Sequence, residues 1–113
     1  MVAGRNFIGA DLRGALLTHL DLRGKDFQGA DAAGAVFVGS LLNGANFQNA
    51  DLRGADLNDT CLRGAVMNGA QLAGAEFTGA DVTGATVASR AAVAAVGWAP
   101  SQAPSNARQS DCR

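Results

Sequence analysis

Tyrosine is missing from this 113-residue chain, and proline, tryptophan and cysteine are nearly so, with two Pro, one Trp and two Cys. Charge of one sign is missing too: nine basic residues face ten acidic ones, a net charge of −1. That balance points neither to an electrostatic nucleic-acid binder nor to an acidic tail. The two cysteines, Cys61 and Cys112, have no metal-ligand spacing. Two free thiols in a reducing compartment are the favoured reading over a structural disulfide. The first residues, Met1 to Phe7, lack the apolar core of a secretory leader. No stretch is long and apolar enough to span a bilayer. These absences lead us to expect a cytoplasmic protein with no membrane contact.

Catalytic and cofactor signatures are also wanting. The chain has no phosphate-binding Gly loop, no Cys/His cluster and no pairing of nucleophile with base. The expectation is therefore a non-enzyme without cofactor or metal. Only 17% of residues are charged, while 48% are hydrophobic. That is enough apolar surface to offset the ordering entropy of a chain, so bias of this kind indicates a repeat rather than disorder.

Glycine, at fifteen residues, is abundant and periodic. From Arg5 to Ser89 the chain divides into seventeen five-residue units without insertion or deletion, each with a central residue. The centres are Phe7, Leu12, Leu17, Leu22, Phe27, Ala32, Phe37, Leu42, Phe47, Leu52, Leu57, Leu62, Met67, Leu72, Phe77, Val82 and Val87, all apolar. Two residues before the centre, twelve of seventeen are Ala; two after it, thirteen are Gly. On a helix such a period would turn each apolar residue by about 500° and smear the stripe around the circumference. A short extended piece followed by a turn fits instead. The centre and the Ala before it point inward, the residue between them points out, and Gly takes the corner.

Units such as Ala10-Asp11-Leu12-Arg13-Gly14, Ala50-Asp51-Leu52-Arg53-Gly54 and Ala45-Asn46-Phe47-Gln48-Asn49 resemble those of the pentapeptide-repeat family. The resemblance implies an all-β solenoid, a right-handed quadrilateral β-helix with four units per coil. Seventeen units would form about four coils and a rod about 20 Å long, at about 4.8 Å per coil. Phe7, Phe27 and Phe47 recur every twenty residues and would stack in one interior column, with Phe37 and Phe77 on the facing wall.

The organisation expected is a lead-in at 1–4, repeats at 5–89, a helix at 90–98 and a flexible tail at 99–113. Ala-rich composition, Ser89 as N-cap and Gly97 after the last turn support the helix. Val93, Val96 and Trp98 would lie over the last coil as a lid. The opposite end has only six residues before Phe7. Its first coil, centred on Phe7, Leu12, Leu17 and Leu22, would stay open and favour association with a second copy, unless Met1 and Val2 fold over it.

Departures from the pattern mark candidate sites. Leu16, Val36, Val38 and Leu41 put apolar side chains where polar ones are usual, forming a candidate protein-binding patch. Asp56, Asp59 and Glu76, with no base beside them, form a candidate acidic patch on the same wall. Another wall stacks Asp11, Asp31 and Asp51, with Arg13 and Arg53 neutralising much of the field. Leu20 and Lys25 replace inward Ala residues, and the Lys25 stem is expected to fill space left by Ala32. His19 replaces a corner Gly and reads as a surface residue.

The function expected is a structural or protein-interaction module, with a protein partner and no direct nucleic-acid contact. The family also contains DNA mimics that bind DNA gyrase, including quinolone-resistance proteins, so gyrase regulation is the alternative. Nine acids against six bases between Arg5 and Ser89, a net −3, weaken that resemblance.

Overall fold

The computed structural model describes residues 6–87. Parallel bridges join each outward residue to one twenty positions on, from Asn6↔Asp26 and Asp11↔Asp31 to Asp56↔Glu76 and Cys61↔Asp81. The last pairing broadens into two short strands, β1 (Val66–Met67) and β2 (Thr86–Val87), in parallel register. This constant step winds four five-residue units into each turn of a β-helix. The lid residues Val93, Val96 and Trp98, the helix at 90–98 and the tail at 99–113 lie outside the described residues.

Most units turn a corner by one device; in those of Leu17 and Leu57 a Ser40 or Thr60 hydroxyl donates to the centre's carbonyl instead. The N–H after the corner residue donates back to the centre's carbonyl, as in Ala10 N to Phe7 O (3.0 Å) and Ala35 N to Ala32 O (3.0 Å). Such a turn needs a positive φ at its third residue. Thirteen glycines supply it, and His19, Asn49 and Asp59 supply it at φ 55°, 60° and 59°. These three are among the residue types best able to enter the left-handed region. Remaining backbone groups pair between coils, as in Leu12 N to Asp31 O (2.7 Å), Asp31 N to Ala10 O (2.9 Å) and Gly14 N to Ala33 O (3.0 Å). Pairing of that completeness is what a buried backbone requires.

In nine units one N–H, that of the residue after the centre, is served locally. The Asp or Asn before the centre accepts from it, as in Asn46 Oδ1 with Gln48 N (2.9 Å) and Asp56 Oδ1 with Asn58 N (3.1 Å). The same cap recurs with Asn6, Asp11, Asp21, Asp26, Asp31, Asp51 and Asp81. The frequent D/N of the repeat is thus an Asx cap as well as a surface residue.

Inside, centres and Ala residues form one continuous core from Leu22 to Val82. Phe27 stacks between Phe7 and Phe47, with centroids at 4.9 and 4.6 Å and rings 6° from parallel in both pairs. Phe37 meets Phe27 and Phe47 edge-on at 6.0 and 5.8 Å. The expected aromatic column is therefore present. Where a polar residue replaces an inward Ala, its hydroxyl bonds the backbone. Ser40 Oγ donates to Leu17 O (2.5 Å) and accepts from Leu20 N (3.0 Å), and Thr60 Oγ1 donates to Leu57 O (2.7 Å).

Candidate interaction surfaces

The inner positions are spent on packing, so recognition falls to the outward residues on either side of each centre. On the wall centred on Leu17, Phe37, Leu57 and Phe77, the outward column before the centres reads Leu16, Val36, Asp56 and Glu76. Leu16 bridges Val36, Val36 bridges Asp56, and Asp56 bridges Glu76. Leu16, Val36, Asp56 and Glu76 therefore share one column, with the apolar pair before the acidic pair, while Leu41 bridges Asp21 and Cys61 on the next wall. Leu16 is 78% exposed, while Val36, Val38 and Leu41 are half-buried. Leu16, Val36 and Leu41 also surrender the Asx cap, because an aliphatic side chain cannot accept the N–H two residues on.

In the acidic half, Asn58 Nδ2 donates to Glu76 Oε1 (2.9 Å), and Asn58 Oδ1 accepts from Thr78 N (2.8 Å). A cross-coil Asn thus serves the amide that Glu76 leaves uncapped. Asp59 stands at the corner, with its Oδ1 in the space that a side chain at Gly79 would fill.

The other acidic residues are differently engaged. Asp11, Asp21 and Asp51 each hold the arginine two residues on in a two-pronged fork. The Nε–Oδ1 and Nη2–Oδ2 distances are 2.8 and 2.8 Å for Arg13, 2.7 and 2.6 Å for Arg23, and 2.8 and 2.5 Å for Arg53. Hydrogen bonds from Arg13 and Arg23 lower the carboxyls of Asp11 and Asp21 to about 2, and Arg53 likewise lowers Asp51. The arginines are raised in turn by the same bonds. Asp31 is drawn in too, 3.8 Å from Arg13 Nε. The wall of Asp11, Asp31 and Asp51 consequently presents paired charge, not a run of bare carboxylates. Among the described residues no three His, Cys, Asp or Glu side chains gather as a metal site.

At the first coil, Phe7, Leu12 and Leu17 are half-buried, whereas Leu22 is buried at 7% exposure. Ile8 (53% exposed) and Leu20 (41%) join Leu16 as the exposed large apolar residues of the described chain, all within one coil. Ile8 escaped notice in the sequence although it fills a position usually polar. Lys25 is half-buried, Ala32 is fully buried, and His19 is an exposed corner residue.

One expectation is overturned. Cys61 is disulfide-bonded, not a free thiol. Its outward position brings it onto the solenoid's surface column, and sequence spacing alone carries no trace of what that column meets.

The pentapeptide-repeat family model matches in eight copies over residues 3–31, 26–59 and 50–87. Solved structures with this fold include a trypsin-treated form of QnrB1, a plasmid-mediated fluoroquinolone resistance protein. It is 30% identical at a TM-score of 0.66, over 71% of this chain and 39% of that one. A pentapeptide repeat protein from the cyanobacterium Cyanothece 51142 is 32% identical at a TM-score of 0.67, over 68% and 52%. Another from the Arabidopsis thaliana thylakoid lumen is 36% identical at a TM-score of 0.56, over 70% and 58%. The aligned region spans about two fifths to three fifths of these relatives. No curated protein matches the chain significantly. The matched repeats cover most of the sequence, and the chain belongs to the pentapeptide-repeat family.

Proposed function

We propose that this chain is a non-catalytic protein-interaction module. Its β-helix is right-handed and completes about four coils. A protein partner docks on Leu16, Val36, Val38 and Leu41, with Asp56, Asp59 and Glu76 steering a basic rim of that partner. The observation that carries the reading is the triple loss of the Asx cap at Leu16, Val36 and Leu41. Each substitution gives up a local hydrogen bond worth about 0.5–1.5 kcal/mol and sets an apolar side chain outside the core. Folding gains nothing from that exchange at a site 78% exposed such as Leu16. Docking does.

The exposed apolar residues of the first coil extend the same reading to self-association through that end, in a cytoplasmic setting. Capture experiments with the intact chain and with the Val36→Asp/Val38→Asp double variant provide the test. The partner set is expected to be lost with the variant while the far-ultraviolet circular dichroism stays unchanged. Identical partners in both would remove the patch as a binding surface.

A second reading, regulation of DNA gyrase, draws on the similarity to the fluoroquinolone resistance protein QnrB1. The three Asp–Arg forks argue against it, since they pair carboxylates that a DNA-like surface would leave bare. Purified protein without effect on gyrase supercoiling at micromolar concentration eliminates this alternative.

A further inference from the structure

The wall centred on Leu17, Phe37, Leu57 and Phe77 is set apart by the order of its outward residues. Each coil adds one rung of two: Leu16 and Thr18, Val36 and Val38, Asp56 and Asn58, Glu76 and Thr78. The strip thus changes from apolar to acidic along the solenoid axis. None of its four units, 15–19, 35–39, 55–59 and 75–79, contains Lys or Arg. On the walls of Leu12 and Leu22 the carboxylates of Asp11, Asp21, Asp31, Asp51 and Asp81 all lie in ion pairs with arginines. Asp56 and Glu76 instead meet Asn58, whose N donates to Asp56 Oδ1 (3.1 Å) and whose Nδ2 donates to Glu76 Oε1 (2.9 Å). An amide quenches no charge, so this end of the strip attracts cations.

The backbone of the wall offers a partner nothing. Leu17 N donates to Val36 O (2.7 Å), Phe37 N to Asp56 O (2.8 Å) and Leu57 N to Glu76 O (2.8 Å). In the other direction Val36 N donates to Ala15 O (2.8 Å), Asp56 N to Ala35 O (2.9 Å) and Glu76 N to Ala55 O (3.0 Å). A segment seated here finds no open ladder to extend, so its own amides need internal partners. An α-helix supplies them. Its repeat fits as well: rungs recur about every 4.8 Å and helical turns about every 5.4 Å, a slip of about 0.6 Å per rung. Same-face residues of an extended strand stand about 6.7 Å apart, out of step by about 2 Å at the second rung.

We propose that the partner presents an amphipathic α-helix to this wall, lying along the solenoid axis. Its apolar residues meet Leu16, Val36 and Val38, and Lys or Arg one to two turns further on meets Asp56 and Glu76. Positions i, i+4, i+7 and i+11 of such a helix face the four rungs in turn. The inference rests on the partner-binding reading and adds the kind of segment that binds.

Two stapled, Ala-rich helical peptides of one composition test it. The segregated peptide has Leu at i and i+4 and Lys at i+7 and i+11; the other alternates Leu and Lys over the same positions. Fluorescence anisotropy with the full chain is expected to give a Kd at least about ten-fold tighter for the segregated peptide. Asp56→Asn/Glu76→Gln keeps both acceptors for Asn58 and should weaken that peptide about three- to ten-fold at low salt. Equal affinities for the two peptides, or binding by neither, overturns the helix. Competition separates this from failure of the patch. If Val36→Asp/Val38→Asp abolishes partner capture but the segregated peptide cannot displace the partner, the patch stands and the helix falls. Capture unchanged by that variant removes both.

Discussion

Replacing Phe27 by Ala removes the middle ring of the aromatic column, a side chain with 0% exposure. Three ring contacts go with it: stacks on Phe7 at 4.9 Å and Phe47 at 4.6 Å, and the edge contact with Phe37 at 6.0 Å. Lost transfer energy and the residual cavity together cost about 3–5 kcal/mol for a buried Phe. With a urea m-value of about 1.5 kcal/mol/M, the unfolding midpoint falls by about 2–3 M. Phe27→Leu keeps most of the burial and forfeits mainly the ring contacts. At about 0.5–1 kcal/mol for each of three, the cost is about 1.5–3 kcal/mol. Phe7→Ala tests the positional part of the reasoning. Phe7 is half-buried and has Phe27 on one side only, so its truncation costs about 1–2 kcal/mol. Urea titrations followed by circular dichroism at the β signal order the three variants. If Phe7→Ala proved as costly as Phe27→Ala, the stack would not be the continuous column described, and the argument would fail.

Corner chemistry and acid sensitivity give two more predictions. Gly14 and Gly69 both have positive φ, but a Cβ at Gly14 meets nothing within 4 Å, while one at Gly69 lies 2.1 Å from Asn49 Oδ1. Gly14→Ala is expected to cost about 1–2 kcal/mol for left-handed backbone alone. Gly69→Ala costs more, and Asn49→Gly in the same chain removes the excess; equal urea midpoints for the two single variants refute this. The depressed carboxyls of Asp11, Asp21 and Asp51 favour the folded state above their unfolded value of 3.8, and that contribution is lost as pH falls toward about 2. Stability should therefore decline between about pH 4 and pH 2. The decline should shrink in an Asp11→Asn/Asp21→Asn/Asp51→Asn variant, which keeps the Asx caps. The effect is small, because the pairs stand in solvent. Identical acid-unfolding curves for the variant and wild type would assign the acid sensitivity to other groups.

Residues that repeat were readable, and residues that meet something outside the repeat were not. The five-residue period with Phe7, Phe27 and Phe47 twenty apart was enough to place an interior column, since every inward position obeys one packing rule. Leu16 and Val36 were identifiable as outward because the same rule makes outward apolar residues exceptions. The acidic residues required more than phase. Asp11 and Asp56 occupy equivalent places in their units, yet Asp11 is locked to Arg13 and Asp56 faces Glu76 across a bridge. A D-x-R spacing becomes a fork only because the centre between them points inward, leaving both flanking side chains on one outer face. That much could have been drawn from the alternation itself.

Cys61 marks where such reasoning stops. It sits in phase with Asp21, Leu41 and Asp81, and the period assigns it to the outer surface as surely as any Asp. It is nonetheless buried and disulfide-bonded, and a residue's phase within a repeat reports neither property. A solenoid makes this separation sharper than a globular fold does. Each coil contacts its neighbours in one way, so the repeat specifies the rod without reference to the outer faces. Selection can therefore alter Leu16, Val36 or Cys61 at the small cost of one Asx cap, leaving the Phe27 column untouched. The positions that break the period on the outside without disturbing the inside are for that reason the ones to mutate first in search of function.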